Sequence, residues 1–253
     1  MSVAIKTSVA GLLVVGTASG GYLIYESTRE RVYLLKDMKD FSTSYANTTF
    51  GGKYGRYLLD PVYNKSGWED AYKKLSSAKS DEFKGNGKVT EAYSTSTVTA
   101  LNKVCEVAFK EQNTSFTDKG NYLSDIWTYC SILKSEPKLV SSTENSYSGK
   151  FGGKDGIKAN LVSVSDADKA ANESFWNLRN KEFFDEISSE SIGSLAQGSI
   201  FVDLYRKENR NKDVDNIREA CKSAYGTTDS ETDKVTDQDL KLFCYLVPEK
   251  QVN

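Results

Sequence analysis

Four cysteines are the residues of this chain whose type and spacing carry the clearest chemistry. Cys105 and Cys130 lie roughly two dozen residues apart, as do Cys221 and Cys244. If oxidised, each pair closes a loop and stabilises the fold by about 3 kcal/mol through the restricted unfolded chain. If reduced, each cysteine serves as a small buried hydrophobe. An extracytoplasmic location favours the two disulfides and a reducing cytosol favours the thiols; the residues leave both readings open. A four-cysteine zinc site needs close ligand pairs such as Cys-x-x-Cys, and neither half of the chain has one.

Histidine is absent from the 253 residues. That removes Ser-His-Asp and Cys-His catalysis and His-containing metal sites. Catalysis by carboxylates, lysine or tyrosine survives in principle, but no spacing argues for it, so a non-enzymatic protein without cofactor is expected. The Phe50-Gly51-Gly52-Lys53-Tyr54-Gly55 run lacks the Gly-Lys-Ser/Thr ending of a phosphate loop. Gly85-Asn86-Gly87-Lys88 fails in the same way, because Val89 follows the lysine. Both are expected to be turns in which glycine supplies positive φ. Asp229, Glu231, Asp233, Asp237 and Asp239 alternate like calcium ligands, yet Lys234 and Leu240 stand where the turn glycine and bidentate glutamate belong. A solvated loop is the better reading. With 33 basic and 35 acidic residues, the net charge of -2 offers no field for nucleic acid. The sequons at Asn47, Asn64, Asn113 and Asn172 match what a Ser/Thr-rich composition gives by chance.

The elements that carry the cysteines occur twice. Ser44-Tyr45 and Phe50-Gly51-Gly52-Lys53-Tyr54-Gly55 recur as Ser146-Tyr147 and Phe151-Gly152-Gly153-Lys154-Asp155-Gly156. Trp68 then corresponds to Trp176, and the pair reads as core anchors rather than ligand-stacking rings. Val104-Cys105-Glu106-Val107-Ala108-Phe109 matches Ala220-Cys221-Lys222-Ser223-Ala224-Tyr225, and Trp127-Thr128-Tyr129-Cys130 matches Lys241-Leu242-Phe243-Cys244. The landmarks keep their order while their offsets run from about 101 to about 116 residues, as expected of a duplication with variable loops.

Helical spacing places Val98, Leu101, Val104, Cys105 and Ala108 on one face, and Val214, Ile217, Ala220, Cys221 and Ala224 on its counterpart, with Gly226 as a stop. Ser66 with Glu69 and Thr236 with Asp239 have the spacing of capping boxes. Some strand or irregular extended structure is expected around Asn160 to Val164. The fold class is therefore mainly α. Residues 42-139 form module 1 and residues 140-253 module 2, with the polar Ser141 to Gly156 stretch at their boundary.

Ahead of the modules, Thr7 to Tyr25 carries no charge. Roughly 19 residues at about 1.5 Å each nearly cross a hydrocarbon core of about 30 Å. Residues 1-25 therefore read as a membrane anchor, an N-terminal transmembrane helix, with a cleaved secretory signal as the alternative. Residues 26-41, with Val32, Leu34, Leu35 and Met38, read as a helical stalk continuing it. Orientation is in conflict. Arg29, Arg31, Lys36 and Lys39 outnumber Lys6 and favour a cytoplasmic body, whereas secretion places the body outside.

The Ala10 to Gly21 run, the Trp68-Glu69-Asp70-Ala71-Tyr72-Lys73 segment and the Cys-x-x-Ala-aromatic segments resemble large paralogous families of uncharacterised proteins in haemotropic mycoplasmas. The resemblance implies a protein of the cell membrane with an extracellular body. Its partners would be the lipid bilayer and a host protein, in antigenic variation or host-cell contact. Such families assign no catalytic or binding residues. The rival expectation is a membrane-tethered cytoplasmic scaffold, followed by an envelope enzyme using carboxylates.

Overall fold

The computed structural model describes residues 12–15, 22–25, 30–141, 146–184 and 191–249. Among them the chain is mainly helical, with three short strands at the N-terminal end. β1 (Leu12–Val15), β2 (Tyr22–Tyr25) and β3 (Glu30–Val32) form an antiparallel sheet in sequence order, with Leu12 opposite Tyr25 and Leu23 opposite Val32. The apolar runs expected within a membrane helix are thus paired as strands, and no helix among the described residues is long and apolar enough to cross a membrane. The remainder of Thr7 to Tyr25 lies outside the described residues.

The stalk expected over 26-41 is also replaced where it is described. After β3 come a 3-10 turn at Leu35–Asp37 and the short α1 (Phe41–Ser44). Val32, Leu34 and Leu35 are buried in the main core. The apolar positions that suggested a continuing helix face instead fill the first copy's interior.

The first copy continues with α2 (Phe50–Tyr54), α3 (Lys65–Tyr72), α4 (Asp81–Lys84), α5 (Leu101–Lys110) and α6 (Gly120–Cys130). The second has a 3-10 turn at Phe151–Gly153, then α7 (Lys169–Phe183), α8 (Ser199–Arg206), α9 (Ile217–Gly226) and α10 (Asp237–Asp239). α10 runs into a π-helical turn at Leu240–Cys244.

Matching hydrogen bonds organise both copies. Leu35 N donates to Leu58 O (2.9 Å) and Leu59 N to Cys130 O (3.0 Å); in the second copy Val140 N donates to Leu161 O (2.9 Å) and Val162 N to Cys244 O (3.0 Å). Three short extended segments therefore meet at the end of each second-cysteine element. The segment of the first copy, Tyr33 to Leu35, precedes the span assigned to module 1, and that of the second begins at Lys138, slightly ahead of its assigned span.

Local geometry departs from expectation at three places. Val98 and Val214 lie just outside α5 and α9 and are 78% and 59% exposed, so the helix faces begin at Leu101 and Ile217. The N-cap of α3 is Asn64, at φ 63° and with no side-chain cap bond, rather than Ser66. Asn64 is drawn away from capping because its side chain bonds the backbone of Tyr33. The Thr236–Asp239 capping box does form.

The paired glycines serve close approach rather than positive φ. A Cβ on Gly52 would stand 2.0 Å from Ala46 O, and one on Gly153 2.2 Å from Tyr147 O. Gly51 and Gly152 let α5 and α9 approach, since Phe109 O and Tyr225 O lie 2.8 Å and 3.0 Å from where their Cβ atoms would be. Gly87 and Gly156 do adopt positive φ.

Candidate functional site

Two disulfides form, Cys105–Cys130 and Cys221–Cys244, with Cα–Cα separations of 5.8 and 5.9 Å. Each joins an amphipathic helix to the C-terminal helical element of its own copy. The helix periodicity that put the cysteines on apolar faces also buries them completely. Among the described residues no group of His, Cys, Asp or Glu is placed to hold a metal ion.

Each copy also contains a pair of buried polar clamps. Asn64 Oδ1 accepts from Tyr33 N (2.7 Å), while its Nδ2 donates to Tyr33 O (2.8 Å) and Asp60 O (3.1 Å). Asn172 does the same with Lys138 N, Lys138 O and Ser163 O, at 2.7, 3.0 and 2.9 Å. These side chains replace water for backbone that would otherwise be buried unpaired. Asp125 accepts from Lys79 N and Ser80 N, and Asp239 from Gln197 N and Gly198 N. Trp68 and Trp176 are buried, their Nε1 atoms donating to Tyr63 O and Ser163 O.

The sequence carried a signal for these clamps. Asn-x-Ser-x-Trp occurs at Asn64 and again at Asn172, and an aspartate precedes the second cysteine by the same spacing in both copies. Read as sequons, Asn64 and Asn172 looked incidental. Their amides are consumed by backbone. In the acidic run, Asp237 binds Lys154, Asp239 forms its clamp and cap, and Glu231 pairs with Lys234.

The copies meet at an ionic and aromatic junction. Arg56 Nη2 lies 2.8 Å from Glu182 Oε1, and Arg179 of α7 binds the other carboxylate oxygen. Arg179 is 1% exposed and also donates to the Leu242 and Phe243 carbonyls at the π turn. Tyr57 Oη donates to Leu246 O (2.5 Å), and its ring meets Phe175 edge-on at 6.2 Å. Burial opposes the charge of Glu182, but Arg179 and Arg56 outweigh it and hold the carboxyl below its ordinary value. Burial pushes the Tyr57 hydroxyl up. Nothing in the sequence pattern paired Arg56 with Glu182, because they belong to different copies.

Beside this junction is a cleft of about 300 Å³. Phe50, Tyr54, Phe116, Leu123 and Trp127 of the first copy line it, with Leu139 from the connection and Leu246 from the second copy. Lys53, Asn113, Glu136 and Lys138 add polar groups. Phe50 and Tyr54 both stand edge-on to Trp127, with ring centroids 5.4 and 5.1 Å away. A second cleft of about 270 Å³ between α8 and α9 combines Leu204 and Ala220 with Asp203, Glu219 and the Lys207–Asp215 pair. No family model, curated protein or solved structure matches the chain.

Proposed function

We propose that the chain is a membrane-anchored, non-catalytic protein of the cell surface, whose duplicated body contacts a host partner or presents variable antigenic surface. The observation that carries this reading is the pair of disulfides, one closing each copy. Disulfides persist in oxidising compartments and are rare where thiols are kept reduced. An extracellular body is therefore favoured over a cytoplasmic scaffold, for which the basic flank after Tyr25 remains the supporting feature.

The uncharged Thr7 to Tyr25 run supplies the tether. In hydrocarbon an open sheet edge would leave backbone groups unpaired at several kcal/mol each, so insertion of this run into a bilayer requires its described residues to exchange their strand pairing for a helix. The body presents related surfaces at a fixed spacing. Both copies share one apolar core and are bridged by Arg56–Glu182. Val98 and Val214 are exposed at matching places just before α5 and α9. Two similar contacts held at fixed distance favour bivalent attachment, through the high effective concentration of the second site.

Protease treatment of intact cells, with thiol alkylation scored in the same samples, tests the reading. A digested body whose four cysteines react with alkylating reagent only after reduction is the expected result. A protected body with reactive thiols would place the chain inside the cell and leave the scaffold reading.

A further inference from the structure

We propose that the cleft at the junction of the copies is a binding site for a small aromatic monoanion, an aromatic ring bearing one carboxylate or sulfonate. The ring would lie against Tyr54 and Trp127, and the charge would meet Lys53. The proposal is independent of where the chain is displayed.

The internal duplication supplies the comparison. Counting back from the second cysteine of each copy, Leu123 occupies the place of Asp237 and Trp127 that of Lys241. Lys53 and Lys154 hold the same position in the Phe-Gly-Gly-Lys motif. In the second copy this region is closed by ion pairs. Lys154 Nζ donates to both oxygens of Asp237 (2.6 and 2.7 Å), and Lys241 pairs with Glu249 at 2.9 Å.

In the first copy the lysine is retained and its carboxylate is gone. Leu123 replaces the aspartate and Trp127 replaces the second lysine, so an apolar wall stands where the ion pairs stood. Among the described residues Lys53 forms no ion pair; its ammonium lies 5.0 Å from the Tyr54 ring centroid. Lys138 and Glu136, which also line the cleft, are 3.6 Å apart and offset each other. One uncompensated positive charge beside aromatic rings calls for an apolar ligand with a single negative charge.

A second observation concerns Asn113, another residue of the cleft lining. Its Nδ2 donates to Thr48 O (2.8 Å) and Thr49 O (3.1 Å), which fixes the amide orientation. Its Oδ1 is buried without a hydrogen-bond partner. Buried acceptors are almost always paired, so a ring hydroxyl or amine on the ligand would complete this one, whereas 1-naphthoate, which has no donor, tests the ring and charge contacts alone. The volume of about 300 Å³ is at the lower end of small-molecule sites, which matches a body of one or two fused rings.

The test is calorimetric titration of the full chain, disulfides intact, with 1-naphthoate and with neutral 1-naphthamide, each corrected by a protein-free blank. One naphthoate per chain should bind. Lys53→Ala should weaken naphthoate about tenfold, equivalent to about 1.4 kcal/mol, and leave naphthamide unchanged. Leu123→Asp recreates the second copy's Lys–Asp pair and should abolish naphthoate binding, whereas Lys154→Ala should have no effect. Should Leu123→Asp fail to fold, the contrast between Lys53→Ala and Lys154→Ala decides the matter. Absence of saturable naphthoate binding, or equal affinity of wild type and Lys53→Ala, would overturn the proposal.

Discussion

Replacing Glu182 by glutamine should weaken the join between the two copies far more than replacing a comparable carboxylate within one copy. Glu182 is 18% exposed in its side chain and sits between Arg56 and Arg179, the latter 1% exposed. Removing its charge leaves two guanidiniums facing each other at a desolvated contact. Breaking one partner from a buried pair costs about 3–5 kcal/mol, and glutamine retains part of the hydrogen bonding, so about 3 kcal/mol is expected. For a chain of this size each kcal/mol lowers the melting temperature by about 2–4 °C, giving a fall of about 6–12 °C.

Glu106→Gln is the control. Its carboxylate bridges Lys103 and Lys110, both at 2.9 Å, but within one helix and with Lys110 half-exposed. Such surface pairs are worth up to about 1 kcal/mol. Urea unfolding, followed by tryptophan emission, avoids the ionic screening that guanidinium would add.

The pH dependence has a definite sign. Burial raises the Glu182 carboxyl and the two arginines lower it further, so its folded value lies below the unfolded one. Its contribution is complete above the unfolded value of about 4.3 and disappears as pH falls through the folded value. The gap between wild type and Glu182→Gln should therefore close in acid. A deficit no larger than that of Glu106→Gln, or one that persists undiminished at low pH, would refute the reasoning.

Asn64→Ala and Asn172→Ala should each cost about 3 kcal/mol in urea unfolding, because each strands backbone groups whose loss of a partner costs about 1–3 kcal/mol. Exposed Asn47→Ala should change stability by less than about 0.5 kcal/mol. Gly52→Ala should destabilise by more than about 2 kcal/mol, since the new methyl meets Ala46 O. Gly120→Ala, at the start of α6 with nothing within 4 Å, should be neutral or stabilising by about 0.5 kcal/mol, read from the same curves.

Much of each copy was legible because the duplication shows twice what each element needs. The cysteine helices, the Trp68 and Trp176 anchors and the Thr236 cap all follow from local periodicity and capping chemistry. The paired glycines were visible as a motif, but their purpose was not. Their absent side chains admit a neighbouring backbone, and which backbone approaches depends on tertiary placement. The stretch from Glu30 to Phe41 is not one continuous helix for a related reason. Val32, Leu34, Leu35 and Met38 suit a helix face by spacing, yet pairing of the segment with Leu58 and Asp60 satisfies its backbone and buries its apolar side chains more fully.

What the sequence determined alone was composition-bound and local: no histidine chemistry, a mainly helical body, a repeated scaffold, and which cysteines belong to which copy. Tertiary structure decided everything that joins distant residues. The Arg56–Glu182 bridge spans the two copies, the Asn64 and Asn172 amides turn inward to backbone, and the cleft assembles from both copies and their connection. The physical reason is that periodicity reports whether a side chain faces the interior. It does not report which partner waits there, because that choice is made by packing among segments far apart in the chain.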